Sequence, residues 1–155
     1  MSPPLQYCSQ IVQGHRASLR VSAFPDNSTC LELREESGCI SVTSSVHQFV
    51  AIKRTRRFPL PTYSLAGQSE TIWQLATKSL FRNQHTLQIE GGDSWSFRTP
   101  LFSLGIQGVA SSGAKMFGSI GRRKTEWYWS VEPQASGREL LSALAFLHWR
   151  WYFAS

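Results

Sequence analysis

Two runs of basic side chains are the parts of this sequence best suited to chemistry. Lys53, Arg54, Arg56 and Arg57 put four cations into five positions, and Arg122, Arg123 and Lys124 put three in a row. A guanidinium grips a phosphate or carboxylate through two parallel N–H donors, and an ammonium adds a compact point charge. Near an anionic surface each such cation contributes about 1 kcal/mol of attraction. The pattern points to binding of a polyanion. A simpler reading stands beside it: charge runs usually face water, so the two clusters are a solvated rim of unrelated loops.

The remaining reactive residue types form no catalytic constellation. Gly113 to Gly118 has the spacing of a phosphate-cradling loop, but Ser119 occupies the position of the required lysine. Gly118-Ser119-Ile120-Gly121 has the G-x-x-G spacing of an RNA-binding loop, which sits between helices, whereas both flanks here read as strands. Gly92-Asp93-Ser94-Trp95 superficially matches a hydrolase serine block, yet no Asp follows residue 93 to orient a histidine, and Gly-Gly-Asp is ordinary turn chemistry. His15, His47 and His85 are scattered without ligand spacing and read as structural or exposed. His148 and Arg150 interrupt an apolar helix near its end. They fit a buried polar hook or a headgroup contact, or else an arginine that keeps its charged head at the barrel mouth alongside Trp149, Trp151 and Tyr152, the last being the ordinary behaviour of the residue.

Cys8, Cys30 and Cys39 are odd in number and contain no C-x-x-C pair, so neither a disulfide framework nor a structural zinc is expected. No cofactor is expected either. The first residues show no basic segment followed by an apolar run, which sets the expectation of an intracellular, cytoplasmic protein that is not secreted.

These side chains need a scaffold, and the hydrophobic pattern supplies one. The chain has 155 residues, 41% hydrophobic and 17% charged, the composition of a folded domain. The net charge of +6 favours anionic partners. Residues 1–15 carry two prolines and no periodicity and read as a loose lead-in. From residue 16 onwards, about eleven short alternating stretches are separated by turn signals at roughly 8–12 residue spacing, the signature of a barrel or sandwich. Examples are Leu31/Leu33, Leu87/Ile89, Trp95/Phe97 and Trp127/Trp129/Val131.

The final stretch is different. Ser136 with Glu139 forms a capping box. Leu140, Leu141, Ala143, Leu144, Ala145, Phe146 and Leu147 then cover every side of a helix over about 137–153. At 1.5 Å per residue it is roughly 25 Å long, about the height of a barrel. A helix that is apolar all round must be enclosed, and closing the strands around it also removes their exposed edges. The expectation is a mainly β fold, a closed antiparallel barrel of about 11–12 strands enclosing the C-terminal helix in one domain over 16–155. The apolar stretch is too short to span a bilayer, which takes about 20 residues.

Three stretches in this order resemble the tubby C-terminal-like superfamily, which includes tubby domains, phospholipid scramblases and the plant LURP-one-related proteins. They are Gly67 followed by Ile72-Trp73-Gln74-Leu75 and Lys78-Ser79-Leu80; Phe117-Gly118-Ser119-Ile120-Gly121, a basic turn, then Trp127-Tyr128-Trp129-Ser130-Val131-Glu132; and the helix from Leu140 to Leu147. The resemblance implies a twelve-stranded barrel around a central C-terminal helix and no enzymatic site. For tubby it implies phosphoinositide binding, and for scramblases a membrane role with calcium dependence. No tubby headgroup contact matches this chain residue by residue, and no acidic calcium loop is visible. The chain is most similar to the small LURP-one-like members.

The functional expectation is a non-enzymatic monomer that binds anionic lipid of phosphoinositide type at a membrane surface. The basic loops carrying Lys53, Arg54, Arg56, Arg57, Arg122, Arg123 and Lys124 are the contacts. The alternatives are a protein-interaction or signalling scaffold and, third, sequence-independent nucleic-acid binding. Against the last, the aromatics alternate as core positions instead of forming an exposed stacking platform.

Overall fold

A computed structural model describes residues 3–14, 16–24, 26–36, 38–44, 47–56, 60–67, 70–79, 84–99, 105–135 and 137–154, with the backbone alone at 47–50 and 154. Twelve strands occur in chain order. They are β1 (Leu5–Val12), β2 (Ser18–Phe24), β3 (Thr29–Glu36), β4 (Cys39–Ser44), β5 (His47–Arg56), β6 (Thr62–Ala66), β7 (Thr71–Ser79), β8 (Gln84–Ile89), β9 (Ser94–Arg98), β10 (Gly105–Ala110), β11 (Lys115–Ile120) and β12 (Glu126–Val131). Each pairs antiparallel with its sequence neighbours, and β1 pairs with β12, so the sheet closes into a barrel. A short 3-10 turn, Pro133–Ala135, leads into α1, Arg138–Ala154, the one α-helix among the described residues.

Alternation makes the wall. Leu19 and Val21, Leu31 and Leu33, Trp73 and Leu75, Trp95 and Phe97, and Trp127, Trp129 and Val131 all point inward and are buried. Their partners one residue away face water, as a period of two requires. The helix fills the interior. Leu140 through Trp149 are all buried, with Leu144 and Phe146 at 1% and 2% exposure. Phe146 meets the edge of Tyr63 at 4.8 Å and lies 6.2 Å from Trp73, and Trp73 Nε1 donates to Ser142 Oγ at 2.9 Å. Helix and wall therefore share one core, and neither could bury its apolar face without the other.

Gly118 of β11 serves packing. A Cβ on Gly118 would sit 2.4 Å from the indole of Trp129, so the G-x-x-G spacing there makes room for a ring. Gly91, with φ of 72°, turns β8 into β9, and Asp93 beside it accepts hydrogen bonds from Ser111 and Ser112. This is the hairpin expected for that block.

Two sequence expectations change. The lead-in is part of the wall: Leu5–Val12 is β1 and closes the barrel between β12 and β2. Its inward residues are Tyr7, Ser9 and Ile11, and the polar Ser9 masks the alternation. The first basic cluster is not a loop, because Lys53, Arg54 and Arg56 are among the last four residues of strand β5. The described part of β10 begins at Gly105, and Phe102, named in the sequence reading as the start of that strand, lies outside the described residues, as do Arg57, Ser136 and His15.

Candidate functional site: a basic barrel end closed by the helix terminus

Antiparallel connectivity sorts the loops between two ends. The connections β1–β2, β3–β4, β5–β6, β7–β8, β9–β10 and β11–β12 open at one end, and the others open at the opposite end. The first end carries Arg16, the end of β5 with Lys53, Arg54 and Arg56, then Lys78 and Arg98, and the β11–β12 turn with Arg122, Arg123 and Lys124. Its carboxylates are Glu35, Glu36 and Glu126. The second end carries Asp26, Glu70, Glu90, Asp93, Glu132 and Glu139 against Lys115 and Arg138. The molecule is polarised along the barrel axis, with one basic and one acidic end.

The two clusters singled out in the sequence thus share an end, but they do not touch. The β5–β6 and β11–β12 connections stand half the ring apart. At about 4.8 Å per strand, a twelve-strand ring is roughly 20 Å across. No single headgroup bridges that gap; the clusters act as two pads of one rim. Lys53, Arg54, Arg56, Arg122, Arg123 and Lys124 are all exposed. A salt bridge joins Arg34 to Glu32 at 2.7 Å on β3.

The helix emerges at this basic end and is anchored there by polar contacts. Trp129 Nε1 donates to Ser9 Oγ at 2.8 Å, and Ser9 Oγ lies 2.7 Å from His148 Nδ1. His148 Nε2 faces the Lys124 carbonyl at 3.3 Å. One proton arrangement satisfies all three: the indole donates to Ser9, the Ser9 hydroxyl donates to Nδ1, and Nε2–H donates to the carbonyl. His148 therefore ties the helix directly to the basic turn. Burial pushes its pKa down to about 4, with the Lys124 carbonyl opposing the shift, so it is neutral at pH 7.

Arg150 is half-buried at the mouth. Its guanidinium lies 4.6 Å from the centre of the Tyr63 ring and donates to Thr77 Oγ1 at 3.3 Å. Thr77 Oγ1 also lies 3.3 Å from Nδ1 of buried His85, whose pKa falls to about 4 through burial and then the nearby Arg150 charge. The buried-hook reading holds for His148 and the barrel-mouth reading for Arg150.

Ser9 and His148 have the separation of a nucleophile and its base. Ser9 is 0% and His148 1% exposed, and the second imidazole nitrogen faces a carbonyl where a carboxylate would be needed. The pair is a structural clasp. Sequence reasoning found His148 but missed Ser9, whose only signal was a polar residue in an otherwise inward series. Among the described residues no group of His, Cys, Asp and Glu could hold a metal ion, and no helix is long and apolar enough to cross a membrane.

Below the rim, the outer wall carries two shallow depressions of about 500 and 390 Å³ that share Arg98, Gln107 and Val109. Lys115 and Glu132 also line the larger, and Lys78 lines the smaller. Compared with known proteins, the chain matches no family model, no curated protein and no solved structure.

Proposed function

We propose that this chain is a non-enzymatic, tubby-like binding module that docks on an anionic membrane surface with the basic end of its barrel. One observation carries the reading: exposed cations gather at the end where the helix leaves, and carboxylates gather at the other. Two pads roughly 20 Å apart suit an extended charged surface better than a small solute. The choice of a phosphoinositide-type headgroup rests on the resemblance, whose implied architecture agrees with a twelve-stranded barrel around a C-terminal helix. The inaccessible Ser9–His148 pair supports a binding role over catalysis. Such a protein would work as a monomer in the cytoplasm, peripheral to membranes.

Vesicle flotation tests the proposal. The chain should float with phosphoinositide-containing vesicles and stay behind with phosphatidylcholine alone, and equal recovery with both removes the lipid reading. The scaffold alternative draws on Val109, Phe117 and Tyr128, large apolar side chains exposed on the outer wall at 48%, 43% and 41%. It expects a protein partner whose binding survives neutralisation of both basic clusters.

A further inference from the structure

The rim surrounds something that the charge pattern alone does not explain. The last turn of α1 leaves the barrel beside the β11–β12 turn and presents Trp151, Tyr152 and Phe153 there. Phe153 is 47% exposed, and Val12 at the end of β1 is 38% exposed. Gln13, next to Val12, donates to the Tyr152 hydroxyl at 2.6 Å, which holds that hairpin against the helix end. The aromatic rings brace one another: Trp151 meets the edge of Trp127 at 5.4 Å, and Phe153 lies 4.6 Å from Trp149 and 4.9 Å from Tyr152. An exposed apolar tip, rigidly supported and ringed by exposed lysine and arginine, is the arrangement of a membrane-interface anchor.

We infer that the C-terminal turn of α1, with Phe153 at its tip and Val12 beside it, inserts into the headgroup–acyl boundary of the anionic bilayer that the basic rim contacts. This rests on the lipid-binding reading and adds an apolar component to it. The rim supplies long-range attraction that salt screens, and the aromatic tip supplies short-range burial that salt leaves intact. Because the rings are already packed, insertion orders little that was free, and the cost of docking is low. The same rings argue against a nucleic-acid platform, since Trp151 and Tyr152 turn their surfaces to neighbouring aromatics. Exposed apolar residues at the other end, Phe24 at 53% and Leu5 at 39%, stand among carboxylates that an anionic bilayer repels.

The test uses the full chain and vesicles of phosphatidylcholine with phosphatidylserine, some carrying bromine near the top of the acyl chains. Bromine should quench part of the tryptophan emission, and Trp151→Phe should remove most of the quenchable part. Phe153→Ser should lower partitioning about tenfold, the loss expected for un-burying part of one aromatic side chain. Its salt dependence should stay unchanged, and Phe24→Ser should partition like the parent. Salt-sensitive binding with no quenching, and with no effect of Phe153→Ser, overturns the insertion and leaves the lipid reading standing. No partitioning into anionic vesicles overturns both. An emission change on adding a single-stranded oligonucleotide but not vesicles overturns both in favour of nucleic acid.

Discussion

The two ends of this barrel are built from the same strands and carry different side chains. At the acidic end the helix enters on apolar contacts plus one polar pair, Trp73 Nε1 to Ser142 Oγ, and Glu139 lies in its first turn where the helix dipole favours a negative charge. At the basic end it is held by Ser9, His148 and Arg150, and both described buried histidines lie there. One end is a conventional core boundary. The other joins a cationic rim, an aromatic tip and a buried polar clasp in one piece of structure. The second is the end proposed to meet the membrane.

The widest gap between the ends should be in membrane attraction. Arg122→Gln, Arg123→Gln and Lys124→Gln combined should weaken partitioning into anionic vesicles about a hundredfold, from about 1 kcal/mol per cation. Glu70→Gln, Glu90→Gln and Glu132→Gln combined should leave it within about twofold. Comparable losses from both sets would erase the distinction.

The polar anchors should differ next. Ser9→Ala leaves two buried groups without a partner, Nδ1 of His148 and Nε1 of Trp129, and should cost about 2–3 kcal/mol in urea unfolding. Ser142→Ala at the other end strands only the Trp73 indole and should cost about 1 kcal/mol.

Acid should loosen the basic end. His85 and His148 have folded pKa values of about 4, below the ordinary 6.5. Between pH 6.5 and about 4 the unfolded chain binds more protons than the folded one, so stability falls as pH falls, by about 1.4 kcal/mol per pH unit for each histidine. Denaturation midpoints across this window measure the slope, and amide exchange should rise first around Lys124. A flat profile would contradict the neutral clasp.

The smallest contrast lies within one stacked pair, Trp127 and Trp129, 5.3 Å apart. Trp129 Nε1 is satisfied by Ser9, whereas Trp127 Nε1 is buried without a partner. Trp129→Phe should therefore cost about 1 kcal/mol more than Trp127→Phe by thermal or urea unfolding.

How much of this was legible in the sequence follows from period and range. The helix announced itself because Leu140 to Leu147 leave no polar face, and most wall strands did so by clean alternation, as in Trp95/Phe97. The strand β1 stayed hidden because Ser9 occupies an inward position, and only the distant His148 and Trp129 explain it. Lys53 to Arg56 looked like a loop because four polar residues mask a strand whose pairing with β6 holds it extended. The basic clusters were readable as residue types. Their position on one rim, half a ring apart, was not, because that depends on counting every hairpin in order, and a missed β1 is enough to lose the closure.

The most direct measurement compares the two ends on one membrane. An environment-sensitive fluorophore is placed on Thr55→Cys at the basic rim, or on Ser112→Cys at the acidic end, in a chain whose Cys8, Cys30 and Cys39 are Ser. On anionic vesicles the label at 55 should brighten and shift to the blue, while the label at 112 stays as in water. An unchanged signal at 55, or an equal response at 112, contradicts the account.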